Sequence, residues 1–286
     1  MSNQPPYLPT ALGASETTLL LGNNPSSGPY AWYMPQCTIS NNPYGGTTGT
    51  YGLASCIAFQ YGAVSVVVWF YVPPNGQGVI IGNDGMLYPN SNNYVPAIYI
   101  DSTDSLRFGE WSTGSTDQTF STPIRPGWHM AVWAEGSISS TGAIVYGYLD
   151  GNFVGSMQLN GITYTVGGAS PPPSYWYIGV GYGGGWPNYP TSGWAFFNGN
   201  IAYVALYNRV LTTSDVLAIY QGVRITSGLV AEYIGNNYNP STGVWTDSSG
   251  NNYNITTTVV AGQYPPRGCT LWPVGDSGNW INWPTC

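Results

Sequence analysis

The chain has 286 residues, of which 6% are charged and 15% are aromatic, and it contains no lysine. Globular proteins usually carry about 25% charged residues, so hydroxyls, amides and backbone must keep this surface wet. The 5 basic residues face 12 acidic ones, which gives a net charge of -7. This balance excludes nucleic-acid binding through phosphates, and the length suffices for a large core.

The low charge also predicts the response to acid. Acid unfolding comes mainly from carboxylates that lose a native partner on protonation, and few such pairs are available here. We therefore expect a weak dependence of stability on pH and an extracellular setting that is hot and acidic, as around a thermoacidophile. A polar secreted β-protein from an ordinary habitat is the alternative, because composition alone separates the two weakly.

The first part of the chain, residues 1–60, is rich in Pro, Gly, Asn and Ser. It predicts an irregular lead-in with strands near Leu19 and Ile57. Residues 1–25 lack the basic and long apolar regions of a signal peptide, and the longest apolar run, Val64 to Val72, is too short to span a bilayer. We expect no transmembrane segment, and a route to the exterior such as assembly into a virion.

Four cysteines lie towards the two ends of the chain. The simplest of their three connectivities pairs Cys37 with Cys56 and Cys269 with Cys286, each closing a short loop. A zinc site is the disfavoured alternative, because there is no C-x-x-C and the single histidine, His129, is distant in sequence. Disulfides predict an oxidising compartment.

From residue 64 onward, short apolar runs are separated by glycine and proline turns. Strands are predicted near residues 64–72, 78–82, 94–100, 105–111, 128–134, 143–150, 152–158, 175–180 and 193–207. Asp150-Gly151 is a strong tight-turn signal. Many short strands and one short helix predict an all-β, antiparallel two-sheet sandwich.

The single predicted helix follows the strand that ends at Tyr207. Thr212 is a good N-cap, Asp215 completes a capping box, and Gly222 supplies a left-handed residue that stops the helix. So short a helix is unstable alone in water. Its apolar side chains must therefore pack on a sheet; they are Val216, Leu217, Ile219 and Tyr220.

Three segments resemble one known family, in that family's order. They are Gly127 to Val132, which reads G-W-H-M-A-V; Tyr148 to Gly155, with the pattern Y-x-D-G-x-x-x-G; and F-x-G-x-I-x-x-V-x-L-Y-N-R-x-L-T within residues 193–222. They resemble laminin G-like jelly rolls, relatives of the concanavalin A-like lectins and glucanases. The resemblance implies a concanavalin A-like jelly roll, and none of the three segments is a catalytic signature.

The tail carries a fourth resemblance. Gly228 to Asn252 resembles the opening strand and D-x-S-G-N turn of the same family, in particular as found in phage and virus structural proteins. Because this opening motif follows the closing one, we predict a small C-terminal β appendage; a permuted strand that folds back and a strand added to a neighbouring subunit are the alternatives. The predicted domains are a lead-in (1–60), a jelly roll (61–222) and the appendage (223–286).

The residues do not predict catalysis. A glycosidase needs two carboxylates across the scissile bond, and the E-x-D-x-x-E strand of the glucanase relatives is not found. Glu110 and Glu135 stand apart in sequence, so a hydrolase would have to assemble its acid pair from distant strands. His129 alternates within a strand and is expected to be structural rather than the base of a triad.

Metal and modification sites are secondary candidates. Asp84, in N-D-G, and Asp101 and Asp104, in D-S-T-D, could offer oxygen ligands to Ca²⁺ at the rim of the sandwich. The same residues fit ordinary turns, which is the favoured interpretation. We expect no other cofactor. Asn254 begins the one glycosylation sequon.

Residues 167–195 form the best candidate for ligand binding. Tyr182, Trp186, Tyr189 and Trp194 stand there among glycines and prolines. Sugars stack their C–H faces on aromatic rings, and glycines let a ligand approach the backbone. The alternative is that these rings cover the edge of the sandwich or pack against another subunit.

Taken together, the residues and the resemblance predict a non-enzymatic structural and recognition protein on the exterior of a virion, an archaeal virus being favoured. Its expected partners are other virion or surface-layer proteins, further copies of itself and host glycans, but not nucleic acid. A secreted adhesin or lectin and a glycoside hydrolase of the glucanase type are the alternatives.

Overall fold

The computed structural model describes residues 16–21, 32–39, 49–87, 90–112, 115–139, 141–160, 175–239, 242, 244–256 and 268–271. The described strands are β1 (Glu16–Leu21), β2 (Trp32–Tyr33), β3 (Gln36–Ile39), β4 (Gly49–Gly52), β5 (Val64–Val72), β6 (Gly78–Asp84), β7 (Val95–Ile100), β8 (Ser105–Ser112), β9 (Ser115–Pro123), β10 (Gly127–Ser139), β11 (Gly142–Leu149), β12 (Asn152–Asn160), β13 (Tyr175–Ile178), β14 (Val180–Tyr182), β15 (Trp194–Phe196), β16 (Gly199–Tyr207), β17 (Leu229–Asn239), β18 (Val244–Asp247), β19 (Ile255–Thr256) and β20 (Gly268–Leu271). The helices are α1 (Leu53–Tyr61) and α2 (Thr213–Tyr220).

Two large sheets form a sandwich, as the sequence predicted. The larger sheet has the order β12-β11-β10-β5-β16-β17-β18-β19, with β1 beside β16 and β20 beside β1. The smaller sheet has the order β14-β15-β6-β7-β8-β9, and β13 pairs with both β6 and β2. The described pairings are antiparallel except for the single parallel contact of β15 with β6. The single strand predicted over 193–207 is in fact two strands, β15 and β16, in different sheets.

The main core lies between the sheets. On β5, Val66, Val68 and Phe70 point into this core, whereas Val67 and Trp69 point to the opposite face of the larger sheet. That outer face is also buried, because α2 and the segment around it pack on it. Burial on both faces explains why β5 is an unbroken apolar run rather than an alternating one.

Helix α2 confirms the predicted cap and the packing of Val216, Ile219 and Tyr220, whereas Leu217, which was also expected to pack on a sheet, is 44% exposed. Thr212 caps it, and Asp215 completes the capping box. Arg209, from the L-Y-N-R segment, donates from Nη1 to Asp215 Oδ2 at 2.7 Å. The ring of Tyr220 stacks on Trp69 with 5.6 Å between ring centroids. These contacts of the family-like closing segment therefore hold α2 against the larger sheet.

Helix α1 corrects the sequence prediction, which expected a strand near Ile57 and only one helix in the chain. Seven of its residues, from Leu53 to Phe59, are buried, so no polar face marks a helical period. Gly62 ends the helix in the left-handed region at φ 67°. A short helix that is apolar all round has the same sequence pattern as a buried strand.

The predicted Cys37–Cys56 disulfide is confirmed and joins β3 to α1. It encloses a small satellite core in which Tyr51 and Phe59 pack edge to face at 5.0 Å. Closing a loop of this length, 19 residues apart, stabilises a fold by roughly 3 kcal/mol through lost unfolded-state entropy. Cys286 lies outside the described residues, so its pairing with Cys269 stays a prediction.

The tail forms hairpins, as expected of the predicted appendage, and these hairpins belong to the larger sheet. Strand β17 pairs with β16, and β18 pairs with β17. Tyr233 and Trp245 are fully buried in the same core cluster as the residues of β5. The tail thus folds back onto the larger sheet, which is the arrangement of the permuted-strand alternative. The boundaries proposed for the domains stay predictions.

The D-x-S-G-N turn of the tail is organised by Asp247. Its Oδ1 accepts the N–H groups of Glu232 and Ser249, and its Oδ2 accepts the Tyr253 N–H at 3.0 Å.

Among the described helices, neither is long and apolar enough to cross a membrane.

Candidate functional site

Four aromatic rings touch one another at one end of the smaller sheet; we call them the aromatic rim. Ring centroids are 4.4 Å apart for Tyr94 and Tyr182, 5.8 Å for Tyr182 and Trp194, and 5.2 Å for Trp194 and Tyr177. Tyr177 is buried, and the other three rings are half-buried. The rim thus presents partly exposed rings on a buried base.

Strand pairing places these rings side by side. Tyr182 of β14 lies directly opposite Trp194 of β15, so the two side chains share a face. Tyr177 belongs to β13 and donates its hydroxyl to Met86 O at 2.7 Å. Tyr94 enters from the segment before β7. The sequence did not single out Tyr94 or Tyr177, because their contacts with Tyr182 and Trp194 span long stretches of chain.

The other two aromatic residues of the predicted site, Trp186 and Tyr189, do not belong to the rim and instead attach their loop to the smaller sheet. Trp186 is only 4% exposed, and a Cβ placed on Gly109 of β8 would lie 2.7 Å from its ring. Tyr189 packs on Tyr99 with centroids 5.7 Å apart and donates its hydroxyl to Gly181 O at 2.7 Å. Burial raises the pKa of Tyr189 far above its ordinary value.

The loop from Gly183 to Gly193 is tied to the smaller sheet by hydrogen bonds. Tyr94 donates its hydroxyl to Gly184 O at 2.8 Å, and Tyr99 donates to Pro187 O at 2.9 Å. The Ser102 N–H donates to Asn188 O at 2.8 Å. Tyr94 therefore contributes its ring to the rim and its hydroxyl to the loop.

The three predicted calcium ligands are occupied by protein groups and organise turns. Asp84 is buried and accepts from Met86 N, Asn92 N and the Ser91 hydroxyl. Asp101 accepts from Arg107 and from Thr103, and Asp104 accepts from the Gln77 amide at 3.3 Å. Within the described ranges, no three His, Cys, Asp or Glu side chains are grouped to hold a metal ion.

By strand alternation, two glutamates face the space between the sheets. On β8, Leu106 and Phe108 face the core, so Glu110, two residues further on, lies on the same face of the strand. On β10, Trp133 faces the core, so Glu135 lies on the same face as Trp133. Trp133 Nε1 donates to Gly109 O at 3.2 Å, which links these two strands across the core. Glu135 is 1% exposed, so in this structure its carboxyl lies beyond the reach of a polysaccharide.

His129 has a partner at each ring nitrogen, and its structural role stays a prediction. Its Nδ1 lies 2.8 Å from Asp150 Oδ2, and its Nε2 lies 2.8 Å from Arg125 O. Asp150 Oδ1 accepts the Met130 N–H at 2.9 Å. The family-like W-H strand and D-G hairpin are therefore bound to each other by these side chains. Asn254, the predicted glycosylation site, is exposed and accepts the Asp247 N–H at 2.9 Å.

Two carboxyls with raised pKa values, half-buried Glu110 and buried Asp84, set the expected response to pH. Burial raises the pKa of Glu110 to about 7 and that of Asp84 to about 6, from ordinary values of 4.5 and 3.8. Such groups bind their proton more tightly in the folded chain, so their stabilisation is present in acid and is lost as pH rises through the folded pKa values. We expect a higher Tm at pH 5 than at pH 8, measured by calorimetry, and a flatter profile in Glu110→Gln.

Two other carboxyls act in the opposite sense at lower pH. The Arg209 guanidinium lowers the pKa of Asp215. Burial would raise the pKa of Asp101, but hydrogen bonds from Thr103 and Arg107 outweigh it, so the pKa of Asp101 is lowered. Their stabilisation is lost only as pH falls through these depressed values. A Tm that rose between pH 5 and pH 8, or a Glu110→Gln profile identical to wild type, would contradict the prediction.

Comparisons with known proteins agree with this architecture. A solved structure of a Bacteroides ovatus protein, provisionally named as carbohydrate binding, matches with a TM-score of 0.50 at 15% identity, covering 85% of this chain and 58% of that one. The chain thus spans less than two thirds of that protein. The CBM40 of the Ruminococcus gnavus IT-sialidase, bound to alpha2,3 sialyllactose, gives a TM-score of 0.42 at 11% identity, covering 73% and 98%.

A heptameric SAP-like pentraxin from Limulus polyphemus gives a TM-score of 0.41 at 14% identity, covering 72% of this chain and 82% of that one. At such identities the likeness concerns the fold alone. A comparison with curated protein sequences found no match. The sequence model of the concanavalin A-like lectin/glucanases superfamily matches residues 45–217, which is more than half of the chain. This chain therefore belongs to the concanavalin A-like lectin/glucanases superfamily.

Proposed function

We propose that the protein is a non-catalytic carbohydrate-binding protein and that the aromatic rim is its glycan site. The observation that carries this proposal is the contact of three half-buried rings, Tyr94, Tyr182 and Trp194, at one accessible end of the smaller sheet. Sugar rings bind to such surfaces by stacking their C–H faces on aromatic side chains.

The backbone beside the rim supports the same proposal. A Cβ on Gly185 would meet no atom within 4 Å, and a Cβ on Gly193 would meet only Tyr182, at 3.5 Å. A ligand can therefore approach the rings and the neighbouring backbone without hindrance from side chains. Neutral hexoses fit such a surface better than anionic ligands, because the rings bring no cation to it.

The non-catalytic part of the proposal rests on the carboxylates. Asp101, Asp150, Asp215 and Glu232 are each paired with a basic side chain. Glu135 and Asp84 are buried, which keeps them from a bound polysaccharide. A glycoside hydrolase of the glucanase type would need two of these groups to face each other across an open cleft.

The proposal is tested with Trp194→Ala on a glycan array, followed by titration calorimetry with the best ligand. Loss of the largest rim ring is expected to weaken binding at least tenfold, which corresponds to about 1.4 kcal/mol. Tyr61→Ala is the matched control, because Tyr61 is a 51% exposed ring outside the rim. Equal binding by wild type and Trp194→Ala, or hydrolysis of the ligand, would refute the proposal.

We further propose that the chain is displayed on the exterior of a virion, an archaeal virus being favoured, where glycan binding would serve host attachment. The support is the charge-poor surface, the disulfide and the resemblance of residues 228–252 to virus structural proteins. Immunogold labelling of purified particles is expected to decorate their surface. Labelling of cell envelopes or culture medium alone would favour the secreted adhesin instead.

A further inference from the structure

A second set of four aromatic rings lies on the outer face of the larger sheet; we call it the outer strip. Trp69 and Tyr220 stack with 5.6 Å between ring centroids and 5° between ring planes. Tyr71 and Trp128 are tilted against each other, also with centroids 5.6 Å apart. Trp69 is 0% exposed, and the other three rings are half-buried. Like the aromatic rim, the outer strip presents partly exposed rings on a buried base.

Strand pairing places these rings in two adjacent rows. Tyr71 of β5 lies opposite Trp128 of β10, and Trp69 lies opposite Met130, so these side chains are neighbours on one face. Trp69, Met130 and Trp128 belong to the apolar cluster on which α2 packs, which identifies the face as the outer one. The outer strip therefore belongs to the larger sheet and the aromatic rim to the smaller one, so the two surfaces are separate.

Two indole N–H groups distinguish the outer strip from ordinary packing. Within the described residues, the Nε1 atoms of Trp69 and Trp128 are buried and have no hydrogen-bond acceptor. A buried donor without an acceptor costs free energy, and a phenylalanine at either position would fill much of the same space without that cost. An acceptor brought by a ligand would offset the cost. The two tryptophans therefore fit a binding site better than a surface that serves packing alone.

The surroundings favour a neutral sugar over an acidic ligand. Burial and the nearby Asp150 carboxylate raise the pKa of Tyr220, so negative charge acts on the outer strip. In the described part of the chain, a Cβ on Gly127 would meet only His129 Nε2, at 4.0 Å, so the backbone beside Trp128 is open to a ligand. A sugar stacks its C–H face on aromatic rings and offers hydroxyl oxygens as acceptors.

We propose that the outer strip is a second binding site for neutral saccharides, in which a sugar stacks on Trp128 and Tyr71 and one of its hydroxyl oxygens accepts the Trp128 indole N–H. This N–H is shielded in the free protein, so the half-buried Trp128 ring turns towards the sugar on binding. The inference does not depend on the aromatic rim being a site. With both sites, one chain holds two saccharide chains at once, which raises the apparent affinity for a surface that displays many copies of the sugar.

The test follows the indole N–H signals of the full chain by proton–nitrogen correlation NMR. Cellohexaose, maltohexaose and mannohexaose are the neutral probes, and glycerol at the same hydroxyl concentration is the control for solvent effects. Trp128→Phe and Trp194→Phe identify the reporter signals of the outer strip and of the aromatic rim. We expect at least one hexaose to shift the Trp128 signal until it saturates, glycerol to leave that signal in place, and the shift to persist in Trp194→Ala.

Variants then separate stacking from hydrogen bonding. In the Trp194→Ala background, Trp128→Ala is expected to weaken the binding of that hexaose about tenfold or more by titration calorimetry. Trp128→Phe keeps a ring but loses the N–H, so it should weaken binding less. Tyr61→Ala is the matched control, because Tyr61 is a 51% exposed ring outside both surfaces. If Trp128→Ala does not fold, Tyr71→Ala removes the other ring of the stacking pair and is expected to have the same effect.

The two reporters keep this proposal distinct from the one for the aromatic rim. A shift of the Trp194 signal alone would overturn the outer strip and leave the rim in place, whereas a shift of the Trp128 signal alone would support the outer strip and count against the rim. A Trp128 signal that none of the hexaoses shifts, or that glycerol shifts equally, would overturn the proposal. Equal binding with and without the Trp128 side chain in the Trp194→Ala background would overturn it as well.

Discussion

Replacing Trp186 with alanine is expected to lower the free energy of unfolding by about 3–5 kcal/mol, the range for loss of a buried tryptophan. The ring is 4% exposed and covers Gly109, where the absence of a side chain makes room for it. Its removal leaves a void between the 183–193 loop and the smaller sheet. Denaturant unfolding, followed by tryptophan fluorescence and circular dichroism, measures the change.

Two variants control for this interpretation. Trp186→Phe keeps most of the buried ring and should lose much less stability. Gly109→Ala approaches the same contact from the other side, because its Cβ would lie 2.7 Å from the ring and 2.8 Å from Pro96 O, and it should also destabilise. A Trp186→Ala protein with wild-type stability and weakened glycan binding would mean that Trp186 belongs to the rim after all.

Replacing Arg224 with methionine is expected to cost about 2 kcal/mol, less than breaking a fully buried ion pair, because Glu232 is buried whereas Arg224 is exposed to water. Arg224 Nη2 donates to Glu232 Oε2 at 2.6 Å, and the Glu232 side chain is 1% exposed. The Tyr203 hydroxyl also donates to this carboxylate, at 3.0 Å. The variant leaves a buried carboxylate whose charge is no longer compensated, and thermal and urea unfolding would report the loss.

The double variant Arg224→Met with Glu232→Gln is the matched control for charge. Glutamine keeps an oxygen that accepts from Tyr203 and removes the uncompensated charge. We therefore expect the double variant to recover more than half of the stability lost by Arg224→Met alone. A double variant no more stable than the single one would show that lost packing, rather than the unpaired charge, causes the change.

The sequence by itself determined those features whose causes lie within a few residues. The capping box of Thr212 and Asp215 and the Asp150-Gly151 hairpin are local, so they could be read without the fold. The Cys37–Cys56 pair followed from its short spacing. Alternation and turns were enough for the sandwich, but α1 was taken for a strand because burial on all sides erases the helical period.

Only the tertiary structure decided the roles of residues with the same local appearance. Trp186 and Trp194 both stand among glycines and prolines, yet one is buried over β8 and the other reaches the rim, because the loop folds back across the sheet. Glu110 and Glu135 are distant in sequence and both face the space between the sheets, and Arg224 reaches Glu232 through the return of the tail to the larger sheet. Burial is a property of what the rest of the chain places over a residue, so neighbouring letters cannot encode it.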